Sequence, residues 1–189
     1  MSFTASSGAP FVLNDRVQIL VDPLVQHAGP LLSFAQTFHS DLVSLTGFND
    51  INQVTVGSPS GSRPVIFLSA GSKSNHTFFN GQKTGEGYDF DISNTTYTIR
   101  GVDPIGTWWG TCDQLCRFRF MTRSFQGTRT LLQQAALARA GGSSTSISIS
   151  TGSGSDTPGW EVRGFMLDTG RHWFRPSFLG EAYLSRSLL

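Results

Sequence analysis

Through residues 11–23, in FVLNDRVQILVDP, apolar positions fall on every second residue at Val17, Ile19 and Val21, and Pro23 ends the run. A period of two predicts one strand there. Over residues 29–47 the period changes. Leu31, Phe34, Phe38, Leu42 and Leu45 recur at steps of three and four, and Gly47 follows. That spacing predicts an amphipathic helix ended by a glycine cap. PVIFLS, residues 64–69, is apolar almost throughout, as a strand covered on both faces would be. GYDFDIS and TYTIRG flank Asn94 and predict a hairpin with Tyr88, Phe90 and Ile92 on one face. Asp103-Pro104 then offers a capping carboxylate followed by proline at a first helical position.

Strand, helix, strand, hairpin, helix in that order predicts an α+β fold. It is one mixed or antiparallel sheet with helices on one face, split-βαβ-like, over residues 1–140. Within the last helix, residues 110–126 follow neither period, and GT recurs at 110–111 and 127–128. Taking the segment out puts Leu132 one heptad after Trp108, on the same helix face, so 110–126 reads as an insertion. Residues 141–157, GGSSTSISISTGSGSDT, have the composition of a flexible linker. From Pro158 the composition turns aromatic and apolar, and residues 158–189 read as strand, polar loop and helix, one βα unit.

Charge adds little to this picture. Fourteen basic residues against thirteen acidic ones give a net charge of +1, which predicts no nucleic-acid partner. No run approaches the 18 or so apolar residues of a bilayer span, and MSFTASSGAPF lacks the basic start and apolar core of a secretory signal. Asn75-His76-Thr77 and Asn94-Thr95-Thr96 are glycosylation acceptors for a chain that enters the secretory route. Cys112 and Cys116 match neither a disulfide framework nor a zinc spacing, so no metal and no cofactor are expected. Trp108 and Trp109 read as core residues of the helix that begins at Pro104.

The densest chemistry lies in WEVRGFMLDTGRHWF, residues 160–174, where an apolar run closes on Asp168 and is followed by Arg171 and His172. In parallel α/β folds functional side chains collect at such strand ends. The stretch resembles the first barrel strand of glycoside hydrolase family 20, the β-N-acetylhexosaminidases, which carries an R-G-x-x-L-D-x-x-R-H/N-aromatic pattern. EGYDFDIS, YTIRGVDPIGTWWGT and RTLLQQ resemble the small α+β domain before that barrel. The likeness covers residues 11–109 and 127–179.

The resemblance implies that terminal N-acetylhexosamine is removed from glycans such as chitin fragments or glycoproteins. It implies that Arg163 contacts hydroxyls of the terminal sugar, a task suited to the five fixed donors of a guanidinium. It gives Asp168, Arg171 and His172 a supporting role around the strand end. Hydrolysis in the family is substrate-assisted: the sugar's acetamido oxygen attacks the anomeric carbon, while an adjacent Asp-Glu pair orients it and protonates the leaving oxygen. No adjacent Asp-Glu occurs in this sequence. The expectation is therefore an accessory domain joined to a truncated first βα unit of a (β/α)8 barrel. It has no catalytic residue of its own and no activity alone, and the alternative is a non-catalytic carbohydrate-binding or interaction module. The full-length family is usually secreted or lysosomal/vacuolar, and a homodimer is the assembly the resemblance suggests for it.

Overall fold

The computed structural model describes residues 2–111 and 146–162. In chain order its elements are β1 (Ser2–Ala5), β2 (Phe11–Leu13), β3 (Gln18–Val21), α1 (Leu31–Thr46), β4 (Thr55–Val56) and β5 (Val65–Ala70). There follow β6 (Tyr88–Ile92), β7 (Thr96–Gly101), α2 (Pro104–Thr111), β8 (Ile147–Ile149) and β9 (Gly152–Asp156). Among the described residues seven strands form one sheet in the order β1-β9-β6-β7-β5-β3-β4, and β2 pairs with β8 apart from it.

The sheet is mixed, as the pattern predicts. β3 runs parallel to both β4 and β5, and β5 parallel to β7. From β7 outward, β6, β9 and β1 alternate in antiparallel pairs. β5 lies inside the parallel half, with Val65 to Ser69 all buried. β6 and β7 form the expected hairpin, whose turn is held by the Ser93 N–H on the Thr96 carbonyl at 2.8 Å.

Both helices lie on one face. α1 buries Leu31, Ala35, Phe38 and Leu42 in one core with Ile19, Val21, Ile66 and Leu68. It ends where Gly47 takes φ 72°, its N–H donating to the Val43 carbonyl at 2.8 Å. A left-handed residue is what glycine tolerates best at that position. α2 begins at its cap: Asp103 Oδ1 accepts the N–H groups of Ile105 at 2.8 Å and Gly106 at 3.1 Å. Gly110 lets α2 come down onto the sheet, since a Cβ there would stand 2.4 Å from Ile99 Cγ2. On the other face Leu20, Val65 and Phe67 form a second, smaller apolar cluster.

Two sequence expectations need correction. FVLNDRVQILVDP is two strands in two sheets, not one strand. Asn14 breaks it, its side-chain oxygen accepting the Arg16 N–H at 2.9 Å and its carbonyl the Val17 N–H at 3.2 Å, an Asx turn. The linker expected over 141–157 gives way, across 147–156, to β8 and β9, and β9 lies between β1 and β6 inside the main sheet. The α+β unit expected over 1–140 therefore extends to Asp156 at least. Of the insertion expected at 110–126, Gly110 and Thr111 continue α2, and the rest lies outside the described residues. So does the βα unit expected over 158–189, from residue 163 onward.

Candidate functional site

The carboxyl ends of the parallel strands are tied together by a chain of satisfied polar groups. At the end of β3, Asp22 accepts the Ser69 hydroxyl at 2.7 Å and the Leu24 N–H at 2.9 Å. The Ser69 carbonyl accepts the Thr107 hydroxyl at 2.6 Å, and Thr107 Oγ1 accepts the Gly101 N–H at 3.1 Å. Ser69 and Thr107 are buried. Every link has a partner, and this chain sews three strand ends to α2.

Beside it, the loop of residues 71–87 builds the densest polar cluster. Its tip is a small hairpin: Thr77 bridges Lys83, and the Phe78 N–H donates to the Gln82 carbonyl at 2.9 Å. Gly81 supplies the turn at φ 82°. The stem returns under α2, with the Val102 N–H on the Gly87 carbonyl at 2.9 Å. Asp89 on β6 is the hub. One carboxylate oxygen accepts the Ser72 hydroxyl, and the other lies 3.4 Å from Nε2 of the buried His76. That last spacing is an ion-pair distance without an aligned hydrogen bond. His76 Nδ1 lies 2.6 Å from the Thr157 hydroxyl, joining the loop to the residue after β9. Gly87 makes room for the imidazole: a Cβ there would fall 2.2 Å from His76 Cγ.

Serine, aspartate and histidine together invite comparison with a nucleophilic triad, and the order of contacts excludes Ser72 as its nucleophile. Activation of a serine needs the imidazole between hydroxyl and carboxylate. Here the carboxylate lies between Ser72 and the imidazole, so Ser72 does not reach the ring, and the hydroxyl on the ring is that of Thr157, at Nδ1. The cluster ties the 71–87 loop to β6 and to Thr157. Among the described residues no group of three or more potential metal ligands converges. An open groove of about 600 Å³ runs between the β1–β9 edge and the β6–β7 turn. Among the described residues Asp91 is the one ionisable residue in its lining.

Past Thr157 the chain runs towards the motif that carries the expected sugar contact. The Phe79 N–H donates to the Gly159 carbonyl at 2.9 Å, and the Phe79 ring meets Trp160 edge-on at 5.5 Å and 88°. A Cβ on Gly159 would fall 2.4 Å from that ring, so only glycine allows this approach. Arg163, Asp168, Arg171 and His172 lie outside the described residues, as do Cys112 and Cys116. Asn75 and Asn94 are both exposed, the first in the 71–87 loop and the second in the β6–β7 turn. Trp108 packs on Phe34 of α1 at 4.9 Å, and Trp109 packs against the main core. Both hold α2 in place, as the sequence predicts. Sequence reasoning passed over His76, which sat as the middle residue of a sequon. Its partners lie 13 and 81 positions away, where no local spacing could point.

No family model matches the sequence, and no curated protein matches it. Solved structures do. The β-N-acetylhexosaminidase of glycoside hydrolase family 20 from Streptomyces coelicolor A3(2) aligns over 98% of this chain and 30% of its own, at 19% identity and a TM-score of 0.58. The Streptomyces plicatus β-hexosaminidase, solved as a mutant in complex with the product GlcNAc, aligns over 92% and 28%, at 20% identity and a TM-score of 0.55. The Flavobacterium johnsoniae chitobiase aligns over 97% and 23%, at 18% identity and a TM-score of 0.52. The structural neighbours are thus β-N-acetylhexosaminidases of that glycoside hydrolase family, and this chain shares their fold over a quarter to a third of their length.

Proposed function

We propose that this chain is the part of a β-N-acetylhexosaminidase that precedes and enters the catalytic barrel. The observation that carries the reading is the agreement of the fold with one stretch of sequence. The fold aligns with these glycosidases over 92–98% of the chain, and the one motif dense in sugar-binding residue types, from Trp160 to Phe174, follows directly on that fold. Arg163 would grip hydroxyls of the terminal N-acetylhexosamine through two of its parallel donors, with Asp168, Arg171 and His172 bracing the strand end behind it. The chain would supply binding and no acid. Substrate-assisted cleavage needs a group to orient the acetamide and a proton for the leaving oxygen, and an adjacent Asp-Glu is missing from these 189 residues.

The test is hydrolysis of a chromogenic N-acetyl-β-glucosaminide by the 189-residue chain and by the longest product its gene encodes. The expected result is release of the chromophore by the longer product and none by the shorter. In the longer product Arg163→Ala should lower kcat/KM about 10- to 150-fold, the loss of hydrogen bonds to a charged donor worth about 1.5–3 kcal/mol. Turnover by the short chain, or full activity in Arg163→Ala, would overturn the assignment. Binding of N-acetylglucosamine with no hydrolysis by either product would favour a sugar-binding module.

A further inference from the structure

We propose that the 71–87 loop is a clamp that sets the direction in which the chain enters Arg163, with Phe79 and His76 as its positioning residues. The inference rests on the role given to Arg163 above. Its evidence is separate and lies wholly in the contacts before that residue.

The clamp has a fixed base and two jaws. The base is the loop's attachment to the sheet and α2. The Ser72 N–H donates to the Gly101 carbonyl at 2.9 Å, the Asp103 N–H to the Gly85 carbonyl at 3.3 Å, and the Ser72 hydroxyl to Asp89. One jaw is His76 on Thr157 at 2.6 Å. The other is Phe79, whose backbone holds the Gly159 carbonyl at 2.9 Å while its ring meets Trp160. Two grips, at 157 and at 159–160, fix a direction as well as a point.

Placement is what a sugar-binding arginine needs. Two residues separate Trp160 from Arg163, three Cα steps and a reach of about 10 Å when extended. A swing at Trp160 would be carried through that whole arm. Misplacement of about 1 Å in a positioning group can cost on the order of 100-fold in rate. Phe79 is 78% exposed and Trp160 62% exposed, so their pairing is not forced by the core. The Phe79 ring on Trp160 and the Phe79 N–H on the Gly159 carbonyl both fall on the turn into the motif.

Hydrogen exchange on the 189-residue chain tests the clamp without any sugar. Wild type should protect the Phe79 amide, which donates to the Gly159 carbonyl, and Phe79→Ala, which removes the ring contact with Trp160, should raise the exchange of the residue-79 amide about tenfold. Phe79→Tyr, which keeps the ring, should restore it, and Gly159→Ala, which pushes the ring away, should repeat the loss. Amides of β5 and β7 should not change in any of these. The proposal fails if the residue-79 amide exchanges freely in wild type, if Phe79→Ala leaves it unchanged, or if β5 and β7 speed up equally. Kinetics of the longer product separate this idea from the reading it rests on. If Arg163→Ala lowers kcat/KM as expected while Phe79→Ala keeps full kcat/KM, the clamp is wrong and the function stands. If Arg163→Ala is fully active, the function is wrong whatever the exchange shows. The supporting result is a 10- to 100-fold loss of kcat/KM in Phe79→Ala, reversed by Phe79→Tyr.

Discussion

The Tyr97 side chain sits almost wholly out of water, with the Phe11 ring 6.1 Å away and the Phe90 ring edge-on at 6.4 Å. Burial strips a phenolate of hydration, so ionisation is driven well above the ordinary value of 10.0. The sign of the linkage follows. Below pH 10 both folded and unfolded chains keep the proton and nothing changes. Above it the unfolded chain gives up its proton and the folded one does not, so this residue costs about 1.4 kcal/mol of stability per further pH unit. Tyr97→Phe should lack that fall, so the difference between the two proteins in urea melts should be flat up to pH 10 and slope beyond it. Parallel curves to pH 11 would show the hydroxyl to be hydrated. At this scale the sequence is readable where a residue acts on its neighbours. Asp103 before Pro104 announces its cap, and Asn94 its turn. His76 acts on Asp89 and Thr157 across a folded loop, and residue type alone carries no sign of that.

β9 shows why whole elements can stay hidden. Its sequence, GSGSD, alternates with period two as a strand should, yet the apolar half of the alternation has no side chain. The neighbouring strands provide it. Phe3 on β1 and Phe90 on β6 both register with Gly154, and their rings stack 6.0 Å apart at 17° across the glycine between them. Hydropathy sees only Gly and Ser, and composition then reads a linker. The two glycines are specific needs of this packing. Gly152 takes φ 153°, a conformation that other residues rarely adopt, and a Cβ on Gly154 would meet Ser2 O at 2.1 Å and Phe90 Cζ at 2.6 Å. Gly154→Val should therefore destabilise the fold by about 1–3 kcal/mol, the usual range for forcing extra methyl groups into a filled site. Urea denaturation gives the value, and a variant as stable as wild type would mean the rings can part without loss. The split of FVLNDRVQILVDP has the opposite cause: its alternation is real, but Asn14 turns the chain in the middle of it.

The order of strands makes the molecule depend on residues far along the chain. β9 fills the place between β1 and β6, and β8 covers β2, so the fold begun at Ser2 is closed only at Asp156. A chain stopped after residue 140 would leave β6 with a bare edge and β1 with no partner in the sheet. It would also lose the buried Ile147 and Ile149, each worth about 1.5–3 kcal/mol, or about 3–6 kcal/mol together. Net stabilities of domains are only about 5–15 kcal/mol, so that loss is a large share of the margin before the hydrogen bonds are counted. The 1–140 chain should give no cooperative thermal transition under conditions where the 189-residue chain gives one. A sharp transition in the shorter chain, followed by circular dichroism, would mean that β8 and β9 are appended to a core already complete without them. The same closure gives the proposed role of this unit its mechanical sense. Strand β9 is locked on both sides, the 71–87 loop grips the residues that leave it, and the direction of the chain at Trp160 is fixed by the fold itself.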